Sequence, residues 1–117
     1  MTLPRPSGAT ATILLGDVRL SEYPTPEGAP MSTVRLIMPE AAEHDWTGAR
    51  VSWRLYHVLA GELDFVVGTQ EMHASAGDVL FIPPGTRYRY RNGGAGAAEI
   101  ILCTSPGYDP ADELPTP

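Results

Sequence analysis

Residues 77–92, GDVLFIPPGTRYRYRN, decide the fold. An apolar run, Val79, Leu80, Phe81 and Ile82, enters a Pro83-Pro84-Gly85 corner, and the chain leaves it in strict alternation. Proline donates nothing to a β-ladder and glycine reaches backbone angles barred to other residues, so the corner lies between strands. Beyond it, period two places Tyr88 and Tyr90 on one face and Arg87, Arg89 and Arg91 on the other.

The same punctuation divides the chain on both sides. Upstream, 12–20 reads as a strand interrupted at Gly16, 21–30 as a proline-rich loop, and 33–38 as a strand closed by Pro39. Residues 41–45 suit one helical turn, stopped by Trp46-Thr47-Gly48. Residues 50–59, RVSWRLYHVL, are the longest strand candidate, rich in β-branched and aromatic side chains. A turn at Ala60-Gly61 joins it to 62–67, the return strand of a hairpin, and 71–74 follows as a short strand. Residues 97–103 are the last strong strand, before a turn-rich tail. About eight strands with turns every eight to twelve residues and no long helix describe an all-β sandwich or barrel.

Composition narrows the function. A chain of 117 residues makes one domain with a real core. No apolar run approaches the roughly 18 residues of a membrane span, and the N-terminus lacks signal-peptide character, so a cytoplasmic protein is expected. The net charge is −6, with eight arginines and no lysine. That balance argues against nucleic acid and anionic membranes as partners, and the lack of lysine removes Schiff-base chemistry. Cys103 is the single cysteine, so an internal disulfide and a multi-cysteine zinc cage are excluded; its apolar neighbours suit a buried structural thiol better than a nucleophile.

Gly77, Pro83-Pro84-Gly85 and Asn92 stand at the intervals of the second motif of the cupin superfamily, which the chain resembles. Tyr88 occupies the place of that motif's histidine. YHVLAGEL, residues 56–63, resembles the end of the first motif, with Gly61 as its glycine. Counting back puts Arg54 in the glutamate slot and the two histidine slots within 46–50, which holds no histidine. The resemblance implies a double-stranded β-helix, or jelly-roll, barrel over 31–108, with 1–30 as arm and first strand and 109–117 as tail. In metal-binding members the three histidines and the glutamate hold a divalent ion. Here the slots hold Arg54 and Tyr88, and a guanidinium cannot ligate a metal, so no cofactor is expected.

On this resemblance Arg50, Arg54, Tyr56 and Tyr88 line the barrel interior, with Tyr90 beside them and Trp46 near the first motif. Two buried guanidinium groups would need an anion, which implies a ligand bearing a carboxylate, phosphate or enolate. Tyr88 would be drawn towards ionisation by the arginines and serve as general acid or base, with His44 at the barrel mouth. Hydrophobic patterning points the other way: Val51, Trp53 and Leu55 would face the core and Arg50 and Arg54 the solvent. His57 is expected to face away from the cavity and His73 to lie near a turn. Arg87, Arg89 and Arg91 read as edge protection or solvated charge.

Two classes of function, and a third, follow. The first is a metal-independent enzyme acting on a small anionic or polyoxygenated molecule by proton transfer, as cyclase, isomerase or lyase; small cupins of this kind occur in bacterial natural-product pathways. The second is a non-catalytic binding or sensing cupin. The third is a metalloenzyme whose ligands have moved, which would need Glu40, Glu43, His44 or Asp45 to converge. A homodimer is expected, because the resemblance implies it, short cupins commonly pairing, and because the apolar odd face of 51–59 would need cover.

Overall fold

Turn residues set the boundaries of the strands. In the computed structural model, which describes residues 4–115, ten strands form: β1 (Ala11–Leu15), β2 (Val18–Glu22), β3 (Ser32–Met38), β4 (Glu43–Thr47), β5 (Trp53–Ala60), β6 (Glu62–Val67), β7 (Gln70–Ser75), β8 (Val79–Ile82), β9 (Tyr88–Arg91) and β10 (Ala98–Ser105). They make two antiparallel sheets, six-stranded in the order β1-β2-β3-β10-β5-β8 and four-stranded in the order β4-β9-β6-β7. The core, with Leu36, Met38, Tyr56, Val58, Leu63 and Phe65 among its residues, draws on both sheets. This is the jelly-roll arrangement. No helix among the described residues is long and apolar enough to cross a membrane.

The glycines that close the turns carry backbone angles a Cβ resists. Gly85 has φ 78° at the proline corner, and its N–H donates to the Ala49 carbonyl at 2.7 Å. Gly61, φ 80°, joins β5 to β6, and a Cβ there would stand 2.9 Å from the Ala97 carbonyl oxygen.

Three expectations change. Residues 41–45 are not a helical turn: Ala41 takes φ 67°, and the chain continues as β4 beside β9. There the β9 backbone offers a ladder that one helical turn could not replace, since such a turn fixes several dihedrals for one hydrogen bond. The expected first strand over 12–20 is two strands, because the interruption at Gly16 is a hairpin turn, and β2 pairs with β3, burying Val18. Cys103 is half-buried rather than buried, since its odd position on β10 leaves it off the core face, 3.8 Å from the Thr33 hydroxyl.

The tail is ordered by its own hydrogen bonds. Asp109 caps a 3-10 turn at Pro110–Asp112, and the Asp112 carboxylate accepts the N–H groups of Val51 and Ser52. The Leu114 N–H donates to the Gly48 carbonyl. Between these anchors, Glu113 is held beside the barrel mouth.

Candidate functional site

Along β5 and the residue before it, alternation runs opposite to hydrophobicity. Ser52, Arg54, Tyr56 and Val58 are 2%, 6%, 2% and 1% exposed, whereas Val51 and Trp53 are 65% and 52% exposed. The even face points inward, so Arg54 is an interior residue. What makes this tolerable is a complete set of partners, because a buried guanidinium without them would be strongly unfavourable. Arg54 Nη1 donates to Tyr88 Oη and to Thr47 Oγ1, each at 3.0 Å, and Nη2 donates to Glu113 Oε1 at 2.5 Å. The Thr47 hydroxyl donates to Glu113 Oε2 at 2.9 Å, and the Tyr56 and Tyr88 hydroxyls lie 2.5 Å apart. Among the described residues no buried side-chain polar atom lacks a partner.

The proline corner delivers Tyr88. It returns the chain from β8, in the six-stranded sheet, to β9 in the other, whose period of two then turns Tyr88 and Tyr90 inward. His44 on β4 lies opposite Tyr90, and their rings stack at 5.1 Å. Tyr90 meets Tyr56 edge-on, also at 5.1 Å. His44 Nδ1 is 2.8 Å from the Asp45 carbonyl; an acceptor carbonyl fixes the proton on Nδ1 and leaves Nε2 as the basic nitrogen of the neutral ring.

Burial sets the state of the phenols. It pushes Tyr56 and Tyr90 well up from the ordinary tyrosine value, aided by neighbouring Tyr88. For Tyr88 burial is again the largest influence and raises the pKa; the Arg54 charge and the Tyr56 hydrogen bond oppose it without prevailing. The expected drift of Tyr88 towards ionisation is therefore reversed, and it is a neutral phenol. Burial works against the Arg54 charge, but Tyr88, Tyr56 and Glu113 more than offset this and raise its pKa.

A cavity of about 600 Å³ opens onto this cluster. Arg54, Tyr56, Glu113, Thr47, His44 and Trp46 contribute to its wall, and Ile13, Leu15, Val18 and Leu20 of the first hairpin supply an aliphatic side. Tyr88 is not part of the wall. It is fully buried behind Arg54 and Tyr56, whereas Tyr56 and Tyr90 both line the cavity beside that cluster, with Tyr23 and Tyr108 elsewhere in the wall.

Arg50 does not join them. It is exposed, because the strand begins only at Trp53 and the Arg50 N–H is engaged by the Asp112 carbonyl. One guanidinium therefore faces the interior instead of two, and its counter-ion is the chain's own Glu113. His57 lies on the outward face of β5, and His73 is exposed on β7 with Nδ1 2.7 Å from Asp64. Arg89 lies 5.2 Å over the Trp46 ring, Arg91 is 3.6 Å from Glu43, and Arg87 donates to the Pro115 carbonyl. A wider depression of about 900 Å³ is lined by charged side chains of β4, β6, β7 and β9. Two pairs of these side chains, His73–Asp64 and Arg91–Glu43, are in contact, whereas the interior cavity borders the buried Arg54 and Tyr56.

Sequence reasoning missed Thr47 and Glu113. Thr47 lies within 46–50, the span of the absent histidines, and nothing in its spacing singles it out. Glu113 sits 59 residues from Arg54 in a proline-rich tail, and no spacing signals it.

The donor set does not suit a divalent ion. A guanidinium stands at the centre with phenols held neutral around it, and among the described residues no three His, Cys, Asp or Glu side chains converge.

The two antiparallel sheets thus form a jelly-roll barrel around a cavity of about 600 Å³. The chain belongs to the cupin family: the family model described as Cupin domain matches residues 36–104. Pac13, described as a nucleoside dehydratase and known from Streptomyces, is similar in fold, with TM-score 0.79 and 21% identity over 94% of this chain and 90% of that one. Structures of that protein with uridine include variants changing a histidine to glutamine and, singly, two tyrosines to phenylalanine. KdgF from Halomonas sp. has TM-score 0.75 and 14% identity, over 85% of this chain and 88% of that one. A segment of 53 residues is 42% identical to the endoribonuclease YbeY of Myxococcus xanthus, covering 45% of this chain but only 18% of that protein.

Proposed function

We propose that this protein is a metal-independent enzyme that binds a small, uncharged, polyoxygenated molecule of nucleoside size and removes water from it by proton transfer. The observation that carries this reading is the line Glu113–Arg54–Tyr88–Tyr56, which ends with the Tyr56 phenol at the cavity wall. Because Glu113 already neutralises Arg54, the cavity offers no free cation to an anionic ligand, and hydroxyl-rich neutral molecules suit it better.

In this reading His44 Nε2 takes a proton from a carbon of the substrate. The C–H pair forms the new C=C bond, the neighbouring C–O bond breaks, and its oxygen takes the Tyr56 proton and leaves as water. Tyr56 is reprotonated from Tyr88, whose oxygen is held by Arg54 while negative charge passes through it. A proton passing from His44 back to the phenols completes the cycle. The likeness to a nucleoside dehydratase, whose variants alter the same residue types as His44, Tyr56 and Tyr88, favours a nucleoside-like substrate.

Nucleosides and their oxidised derivatives, screened by mass spectrometry for loss of one water, test the activity. Tyr56→Phe is expected to abolish turnover, losing at least the 10²-fold typical of a positioned acid. Tyr88→Phe, acting through Tyr56, lowers kcat about 10-fold or more with KM little changed. Uridine that stabilises the protein, with no compound in the panel dehydrated, would instead favour a binding module.

A further inference from the structure

The inner face of the six-stranded sheet changes character from one side to the other. Tyr56 on β5 stands beside Leu102 on β10 and then Val34 on β3; one row along, Leu36 on β3 stands beside Leu20 on β2 and then Ile13 on β1. Leu15 pairs with Val18 at the end of the hairpin. At β5 the face offers a guanidinium and a phenol, and from β10 to β1 it offers branched aliphatic side chains. Both parts line the same cavity.

The aliphatic part is left uncovered. Six strands stand against four, and β1 pairs with no strand but β2. Val18 and Leu36 are buried, yet Ile13 and Leu15, on the same face of the hairpin, are 46% and 45% exposed. Four strand spacings separate β5 from β1, about 19 Å along the sheet. A head group held at Tyr56 and His44 therefore leaves the hairpin end bare. The cavity, about 600 Å³, lies in the range that encloses drug-sized ligands and has room beyond such a head.

We infer that the ligand of this cavity is amphipathic: a polyoxygenated head seated at Tyr56 carries an uncharged alkyl or acyl arm, which lies on the floor formed by Ile13, Leu15, Leu20, Val34, Leu36 and Leu102. The inference rests on the proposed function for the head alone. Continuity selects this occupant, because floor and head-group cluster share one cavity and a single molecule reaches both. The floor is long and aliphatic, which suits an extended chain whose methylenes gain by leaving water. Glu22 borders it on the same face, paired with Val34, so a carboxylate on the arm would meet another.

Two probe series separate the floor from the head: n-alkyl glucosides from methyl to octyl, kept below their micelle concentrations, and n-alkanols from butanol to octanol, each titrated by calorimetry. Every added methylene is expected to tighten binding about two- to four-fold, with a more negative heat-capacity change. Ile13→Ser/Leu15→Ser, altered at half-exposed positions, should flatten that dependence. Leu14→Ser, on the outer face of the same strand and 70% exposed, should keep it. Affinity that does not rise with chain length in either series overturns the inference, as does a double variant that folds by circular dichroism and keeps the wild-type dependence. Should the double variant misfold, the wild-type series decide alone. The dehydration screen answers separately for the head. Water loss from nucleosides without chain-length dependence removes the arm and leaves the enzyme; chain-length dependence with no compound dehydrated leaves the arm and removes the enzyme.

Discussion

Glu113 and Arg54 form one ion pair from two environments, the guanidinium 7% and the carboxylate 33% exposed in their side chains. The wetter partner is the cheaper to lose, yet its loss leaves a buried cation with phenols and a threonine hydroxyl that cannot neutralise it. Glu113→Gln is therefore expected to lower stability by about 1–2 kcal/mol in chemical denaturation, between the values for exposed and buried pairs. Adding Arg54→Met should cost less than the two single changes together, because the orphaned charge goes with it. The arginine in the glutamate slot was legible in the sequence, and so was the tyrosine in the histidine slot. That they touch, and that a tail carboxylate completes them, was not, because a hydrogen bond across 59 residues leaves no local trace.

At the level of elements, Asn92 shows what the second motif does. Its amide donates to the carbonyls of Met38, Pro39 and Gly96, and its own carbonyl accepts the Gly94 N–H. The residue thus clips the end of β3 to the loop between β9 and β10. Asn92→Ala should lower stability by about 2–4 kcal/mol, since it strands buried backbone carbonyls, with a lower denaturation midpoint and an unchanged m-value. The motif's spacing announced this residue, and the structure makes it architectural. The β4 strand was illegible for the complementary reason: residues 43–47, EHDWT, carry no β-pattern of their own and become a strand only because β9 offers a ladder.

Across the whole molecule, polarity is sorted by surface. One outer sheet face is charged, half of the other is apolar, and the cavity between the sheets sets a phenolic cluster with a paired guanidinium against an aliphatic wall. On the charged face the Asp64 hydrogen bond raises the His73 pKa, with the Asp64, Glu62 and Asp78 charges acting in the same direction. A raised folded-state pKa means that the fold favours the protonated ring. The stabilisation is then fully present below the ordinary histidine value of about 6.5 and is lost as pH rises through the raised one. His73→Gln should melt below the wild type at about pH 5.5 and together with it at about pH 9, a convergence that thermal melts in two buffers would read.

The sequence by itself determined where the chain turns and which residues alternate, because glycine and proline act on their own backbone angles and period two is a property of one strand. It therefore settled the all-β class, the corner at 83–85 and the two altered motif positions. Only the tertiary structure decided which side of β5 is inside. Apolar Val51, Trp53 and Leu55 outvote Arg54 on any local scale, and the inward arginine is stable only because Thr47, Tyr88 and Glu113 arrive from three other parts of the chain. The same assembly buries the tyrosines and holds them neutral, and burial depends on both sheets closing around a residue.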